Sequence, residues 1–159
     1  MLKLTKKADY GLIALTHLAG MEPEASSSAK EIAEAYGIPL PLLSKVLQRL
    51  ARHGFLRSEH GTNGGYRLAK APEEISALEV IRLIDGPIIL THCFTDFQNC
   101  CISGKCSVRA PLKRVHEGIL RLLDSTTIRD LCRPEGEEHR CAAGGEANSL
   151  LKPKTAAII

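Results

Sequence analysis

Four of the chain's six cysteines fall in one short stretch, Cys93-Phe94-Thr95-Asp96-Phe97-Gln98-Asn99-Cys100-Cys101-Ile102-Ser103-Gly104-Lys105-Cys106. Cys93, Cys100 and Cys106 are separated by six and five residues, with Cys101 as an alternative middle ligand. Turn-forming residues dominate the stretch, and a loop lets sulfurs at such spacings converge on one centre, which a single helix face does not. Three thiolates suit an iron–sulfur cluster, whose fourth protein ligand must then come from elsewhere. They also suit zinc, which accepts sulfur and nitrogen, although no C-x2-C pair of the usual zinc ribbon is present. Reversible thiol or disulfide sensing and inert thiols are the other readings. Cys132 and Cys141, with His139 nearby, lack two further ligands and read as free or incidental thiols.

A second chemistry lies upstream. Residues 41–70 carry six Lys/Arg against the single acid Glu59, in a chain whose formal net charge is only +3. Basic charge concentrated in this way points to a polyanion as partner. Leu43, Val46, Leu47 and Leu50 are spaced i, i+3, i+4, i+7, so they form the buried face of a helix beginning near Pro41. Ser44, Lys45, Gln48, Arg49 and Arg52 then face outward. Lys45, Gln48 and Arg49 can reach base edges, and Ser44 a base or a phosphate. After Gly54, two strand-like segments (Phe55–Glu59 and Tyr66–Ala69) flank His60-Gly61-Thr62-Asn63-Gly64-Gly65, in which Asn-Gly is a hairpin signal. Arg57, His60, Thr62, Asn63 and Arg67 are candidates for backbone or minor-groove contacts.

The elements that must hold these residues follow from caps and periodicity. Thr5 caps a helix with apolar positions Ala8, Leu12, Leu15 and Ala19. Ser28 and Glu31 form a capping box for a short helix ending at Gly37-Ile38-Pro39. Two helices joined by a tight turn, a third with a polar outward face, then a basic hairpin make a winged helix-turn-helix. Ser76 and Glu79 open another helix, which stops at Gly86-Pro87. Beyond the cysteines a helix starts at Ala110-Pro111. Its Val108, Leu112, Val115, Ile119 and Leu122 form a heptad seam, able to pair with a second copy or to pack back on the domain. Ser125–Leu131 reads as a short terminal helix, and the Gly-, Pro-, Glu- and Ala-rich remainder as a mobile tail.

The expected fold is therefore mainly α with a small β-hairpin wing. The expected division is a DNA-binding domain over 1–87, a cluster loop over 88–109, a dimerisation helix and short terminal helix over 110–132, and a flexible tail over 133–159. With 159 residues and no apolar run of membrane-spanning length or signal-peptide core, a cytoplasmic protein is expected. No nucleophile–base pair, phosphate loop or acid pair stands in a context that suggests an enzyme.

The opening Leu4-Thr5-Lys6-Lys7-Ala8-Asp9-Tyr10, the wing Gly61-Thr62-Asn63-Gly64-Gly65-Tyr66-Arg67-Leu68 and the Cys100-x-Ile102-x3-Cys106 element resemble the IscR/NsrR family of bacterial regulators. The resemblance runs from residue 1 to about 132 and looks nearest to regulators of the SUF iron–sulfur assembly operon. It implies a homodimer with two winged-helix domains and a long crossed dimerisation helix. It also implies a cluster on three loop cysteines and a cluster-dependent transcriptional regulator, a repressor, binding palindromic operator DNA. The family's usual cysteine spacing is five and five, so this loop has one extra residue before Cys100. The assembly-regulator branch uses a His three residues after the last Cys, where this chain has Arg109, which cannot ligate. The nitric-oxide-sensing branch uses an Asp near the start of the first helix, given by the opposite subunit, and Asp9 matches that position. The resemblance thus implies the ligand set Cys93, Cys100, Cys106 and Asp9. It favours [2Fe–2S] over [4Fe–4S], with His92, Asp96 and His116 as lesser candidates for the fourth ligand. Alternatives are sensing of nitric oxide or redox state through the cluster or thiols, a zinc-site winged-helix protein, and a small electron-transfer or cluster-carrier protein.

Overall fold

In the computed structural model, residues 3–22, 25–59, 64–91 and 105–132 are described. Helix α1 (Lys6–Ala19) is capped by Thr5, whose hydroxyl accepts from the Ala8 N–H. Helix α2 (Ala29–Tyr36) has the expected capping box: Ser28 Oγ accepts from the Glu31 N–H, and the Glu31 carboxylate accepts from the Ser28 N–H at 2.7 Å. Gly37, at φ 63°, ends α2 in the left-handed conformation that glycine adopts without steric cost. Helix α3 (Leu40–Arg52) follows at once, with Pro41 in its first turn.

Strands β1 (Leu56–Ser58) and β2 (Tyr66–Leu68) pair antiparallel, with Leu56 opposite Leu68, Arg57 opposite Arg67 and Ser58 opposite Tyr66. Both are shorter than the sequence suggests. A pair of backbone bonds between Glu59 and Gly65 extends the ladder by one step. Tyr66 also exchanges two backbone bonds with Ser27, at 2.8 and 3.1 Å, which ties the wing to the entry of α2.

A 3-10 turn at Pro72–Glu74 leads to α4 (Ala77–Asp85), again opened by a capping box, here between Ser76 and Glu79. Helix α5 (Arg109–Ser125) packs on α4. The short terminal helix is α6, and it covers only Ile128–Leu131. Ser125 finishes α5, while Thr126 and Thr127 are not helical, because Thr126 donates its hydroxyl to the Leu122 carbonyl and its own carbonyl takes the Ala77 N–H. Thr127 then caps α6 in a box with Asp130.

The core gathers Leu15, Ile32, Leu43, Leu47, Leu50, Ile75, Val80 and Ile128, all without exposure. Ile128 brings α6 back against α1, so the last described helix completes the domain that the first begins. Within α5 no residue is fully buried. Its seam divides: Leu112 and Ile119 are half-buried, while Val108, Val115 and Leu122 stay 56%, 52% and 66% exposed. The 133–159 segment lies outside the described residues.

Candidate functional site

The apolar stripe of α3 fixes which side chains it presents. With Leu43, Val46, Leu47 and Leu50 buried against the domain, Lys45, Gln48, Arg49 and Arg52 are exposed and Ser44 is half-buried. Lys45, Gln48 and Arg52 follow one another at i, i+3 and i+7, one outward line on the helix. Arg49 is turned aside from that line. Its Nη1 donates to the carbonyl of Ile84 at 3.4 Å, on the last turn of α4.

In the wing, Arg57 and Arg67 face each other across the ladder, a placement in which like charges repel. Arg67 Nε lies 2.6 Å from the Glu59 carboxylate, which offsets that repulsion. Arg57 is exposed, and it is the wing cation the hairpin presents outward. His60, Thr62 and Asn63 lie outside the described residues.

Sequence reasoning missed two supports of this surface. One is the Glu59–Arg67 pair, for which the signal was an acid and a base flanking one hairpin. The other is Gly65, where a Cβ would come within 2.6 Å of the Ser27 carbonyl oxygen, so only glycine lets β2 approach the entry of α2. Glu31 braces the same corner. Its carboxyl is held below the usual carboxylate range, first by the backbone N–H of Ser28 and then by the hydroxyls of Ser27 and Ser28.

Of the proposed metal ligands, Cys93, Cys100 and Cys101 lie outside the described residues, as do the lesser candidates His92 and Asp96. Cys106 is a free, half-buried thiol just before α5. Among the described residues the α5 N-terminus at Val108 has no side-chain cap, and its positive end begins two residues after Cys106. A thiolate-held iron–sulfur centre is anionic, and that environment fits it. Asp9 is exposed in the first turn of α1, and His116 is half-buried midway along α5. Among the described residues, no three His, Cys, Asp or Glu side chains stand close enough to hold a metal. Cys132 packs against the core and donates from Sγ to the Thr16 carbonyl at 3.6 Å, and burial pushes its thiol pKa up.

Helices α2 and α3, the bonded wing and the basic outward line on α3 define a winged-helix DNA-binding protein. The chain belongs to the Rrf2 family: the family model for an iron-dependent transcriptional regulator matches residues 4–134. It is similar to the HTH-type transcriptional regulator NsrR of Halalkalibacterium halodurans, 36% identical over 137 residues, which covers 86% of this chain and 94% of the relative. Among solved structures it is similar to CymR, the global cysteine regulator of Bacillus subtilis. That match has a TM-score of 0.71, 30% identity, and coverage of 83% of this chain and 97% of that one. It is also similar to IscR of T. potens, with a TM-score of 0.66, 31% identity, and coverage of 90% and 94%. The resemblance to IscR and NsrR read from the sequence is thus borne out, as is the winged-helix fold. The relatives are regulators of transcription, not enzymes. Among the described residues no helix is long and apolar enough to cross a membrane.

Proposed function

We propose that this Rrf2-family regulator is a cytoplasmic homodimer that represses transcription from a palindromic operator according to the state of an iron–sulfur cluster. The observation that carries the reading is the cysteine-rich connection between α4 and α5, with Cys106 at the uncapped, positive end of α5. Cys93, Cys100 (or Cys101) and Cys106 supply three thiolates, and Asp9 of a second subunit the fourth ligand. A carboxylate is a harder and more labile ligand than a thiolate, so a cluster held in this way exchanges readily, which suits a sensor. We favour [2Fe–2S] and iron–sulfur assembly genes as the regulated set, with nitric oxide or redox state as the alternative signal.

On DNA, Ser44, Lys45 and Gln48 serve the major groove, with Arg49 on the same helix, and Arg57 with the His60–Asn63 tip serves the adjoining backbone or minor groove. The 1–87 DNA-binding part, the 88–109 loop and the 110–132 region remain the working division of the chain. Dimerisation is supported by the exposed Val115 and Leu122 on α5, with the half-buried Gly118 between them. A glycine inside a helix costs about 1 kcal/mol relative to alanine. Among the described residues a Cβ at Gly118 would meet nothing within 4 Å, so a close crossing by a second α5 gives that glycine a purpose.

Anaerobic purification, absorption spectroscopy and assays of iron and acid-labile sulfide test the cluster, with Asp9→Ala alongside. Zinc without sulfide overturns it. Similarity to a cysteine regulator, CymR, favours a second reading, in which the loop thiols sense without a cluster. That reading predicts an iron-free protein whose operator affinity changes with reversible thiol oxidation.

A further inference from the structure

The last turn of α4 is held from three sides. Both carboxylate oxygens of Asp85 accept from Thr5: one from its backbone N–H at 2.9 Å, the other from its hydroxyl. Thr5 is the N-cap of α1, so a carboxylate there also meets the positive end of that helix. One residue earlier, the Ile84 carbonyl takes the guanidinium of Arg49 from α3. The last carbonyls of a helix lack donors of their own, and a cation is favoured at that end. The Ile84 side chain presses on α1 at Gly11, where an added Cβ would collide with Ile84 Cδ1. Immediately afterwards Gly86, at φ 89°, breaks the helix and the chain enters the run to Cys93. A cavity of about 240 Å³ lined by Lys3, Thr5, Asp85, Pro87 and Ile89 opens beside this junction. Ile84 and Asp85 are thus gripped at the point where the chain leaves α4.

We propose that Arg49 and Asp85 are positioning residues that fasten the base of the cysteine segment to α3 and to the start of α1. A movement entering at Gly86 then reaches the DNA-reading face as a shift of α3. The direction of Arg49 separates this role from a DNA contact: it sits about 100° around the helix from Gln48, and its guanidinium is engaged on α4. The proposal rests on the function proposed above for α3 and for the cysteine segment.

The test is operator affinity as a function of salt, on the full chain as isolated, with iron content, absorption spectrum and thermal midpoint recorded in parallel. Lys45→Ala, a direct contact, is expected to reduce the slope of log affinity against log salt by about 0.9 if it meets a phosphate. Arg49→Met is expected to lower affinity roughly five-fold or more with the slope unchanged. Asp85→Asn, away from the DNA-reading face, should do the same, and the double variant should lose less than the product of the two singles, because both act at one junction. Thr5→Ser, which keeps the hydroxyl, should bind as the parent does, and Thr5→Val should behave as Asp85→Asn. A slope reduced by about one phosphate in Arg49→Met overturns the positioning role. So does parental affinity in Asp85→Asn, or a loss in either variant that only tracks its unfolded fraction. An iron-free parent removes the cluster reading but leaves these slopes and cycles to decide the roles of Arg49 and Asp85.

Discussion

At the level of single residues, the wing and the entry of α2 depend on groups with little room to vary. Gly65→Ala would drive a Cβ into the Ser27 backbone, and overpacking of this kind typically costs about 1–3 kcal/mol. Because the clash separates β2 from Ser27, operator affinity should fall on every DNA sequence alike, as measured by binding titrations on matched and mismatched duplexes. Glu31 gives a pH signature. Its folded pKa lies below its ordinary value, so its stabilising effect is complete above the unfolded value of 4.5 and is lost as pH falls through the folded one. Glu31→Gln should therefore melt lower than the parent at neutral pH, with the difference shrinking as pH falls below 4.5. A difference that does not depend on pH would show that the bonds to Ser27 and Ser28 carry no charge-dependent energy. Cys132 has the opposite sign. Burial raises its pKa, so the folded state prefers the neutral thiol and loses that preference as pH rises through the folded value. Alkylation of native Cys132 near neutral pH should be slow compared with that of the unfolded chain, as followed by peptide mass mapping.

Among the elements, α5 carries the clearest expectation. Val115 and Leu122 lie on a face that nothing in the described chain covers, so lysines there leave the protomer's own core intact. Val115→Lys with Leu122→Lys should convert a dimer to a monomer in sedimentation velocity, while the far-ultraviolet spectrum keeps its helical shape. A dimer that survives the pair would place the interface elsewhere. These helices were legible in the sequence because local chemistry fixes their ends. Thr5, the Ser28–Glu31 and Ser76–Glu79 boxes, and Gly37 all cap where their residue types require. The strands came out shorter than their composition suggested, since ladder length depends on the partner strand rather than on local propensity. The aim of Arg49 was also hidden. A periodic pattern shows that a residue is off the buried stripe, but not that a carbonyl 35 residues later will claim its guanidinium. Helix α6 was read too long because Thr126 and Thr127 look like helix residues until their bonds to Leu122 and Ala77 are known.

On the scale of the whole molecule, the C-terminal side of the described chain is stitched to its beginning. Ser76 and Thr127 form a backbone bridge, Arg129 Nε lies 2.8 Å from Glu73, and Ile128 is fully buried against α1. Ile128→Ala should cost about 2–5 kcal/mol, the range for emptying a well-packed aliphatic site, and lower the thermal midpoint of the DNA-binding portion together with the rest. A small loss there would mean that α6 is an ornament on an otherwise complete domain. During synthesis, Ile128 leaves the ribosome after Cys93, Cys100, Cys101 and Cys106 and after α5. A nascent chain therefore cannot complete the core beneath its helices until α5 has been made, because Ile128 fills that core from α6.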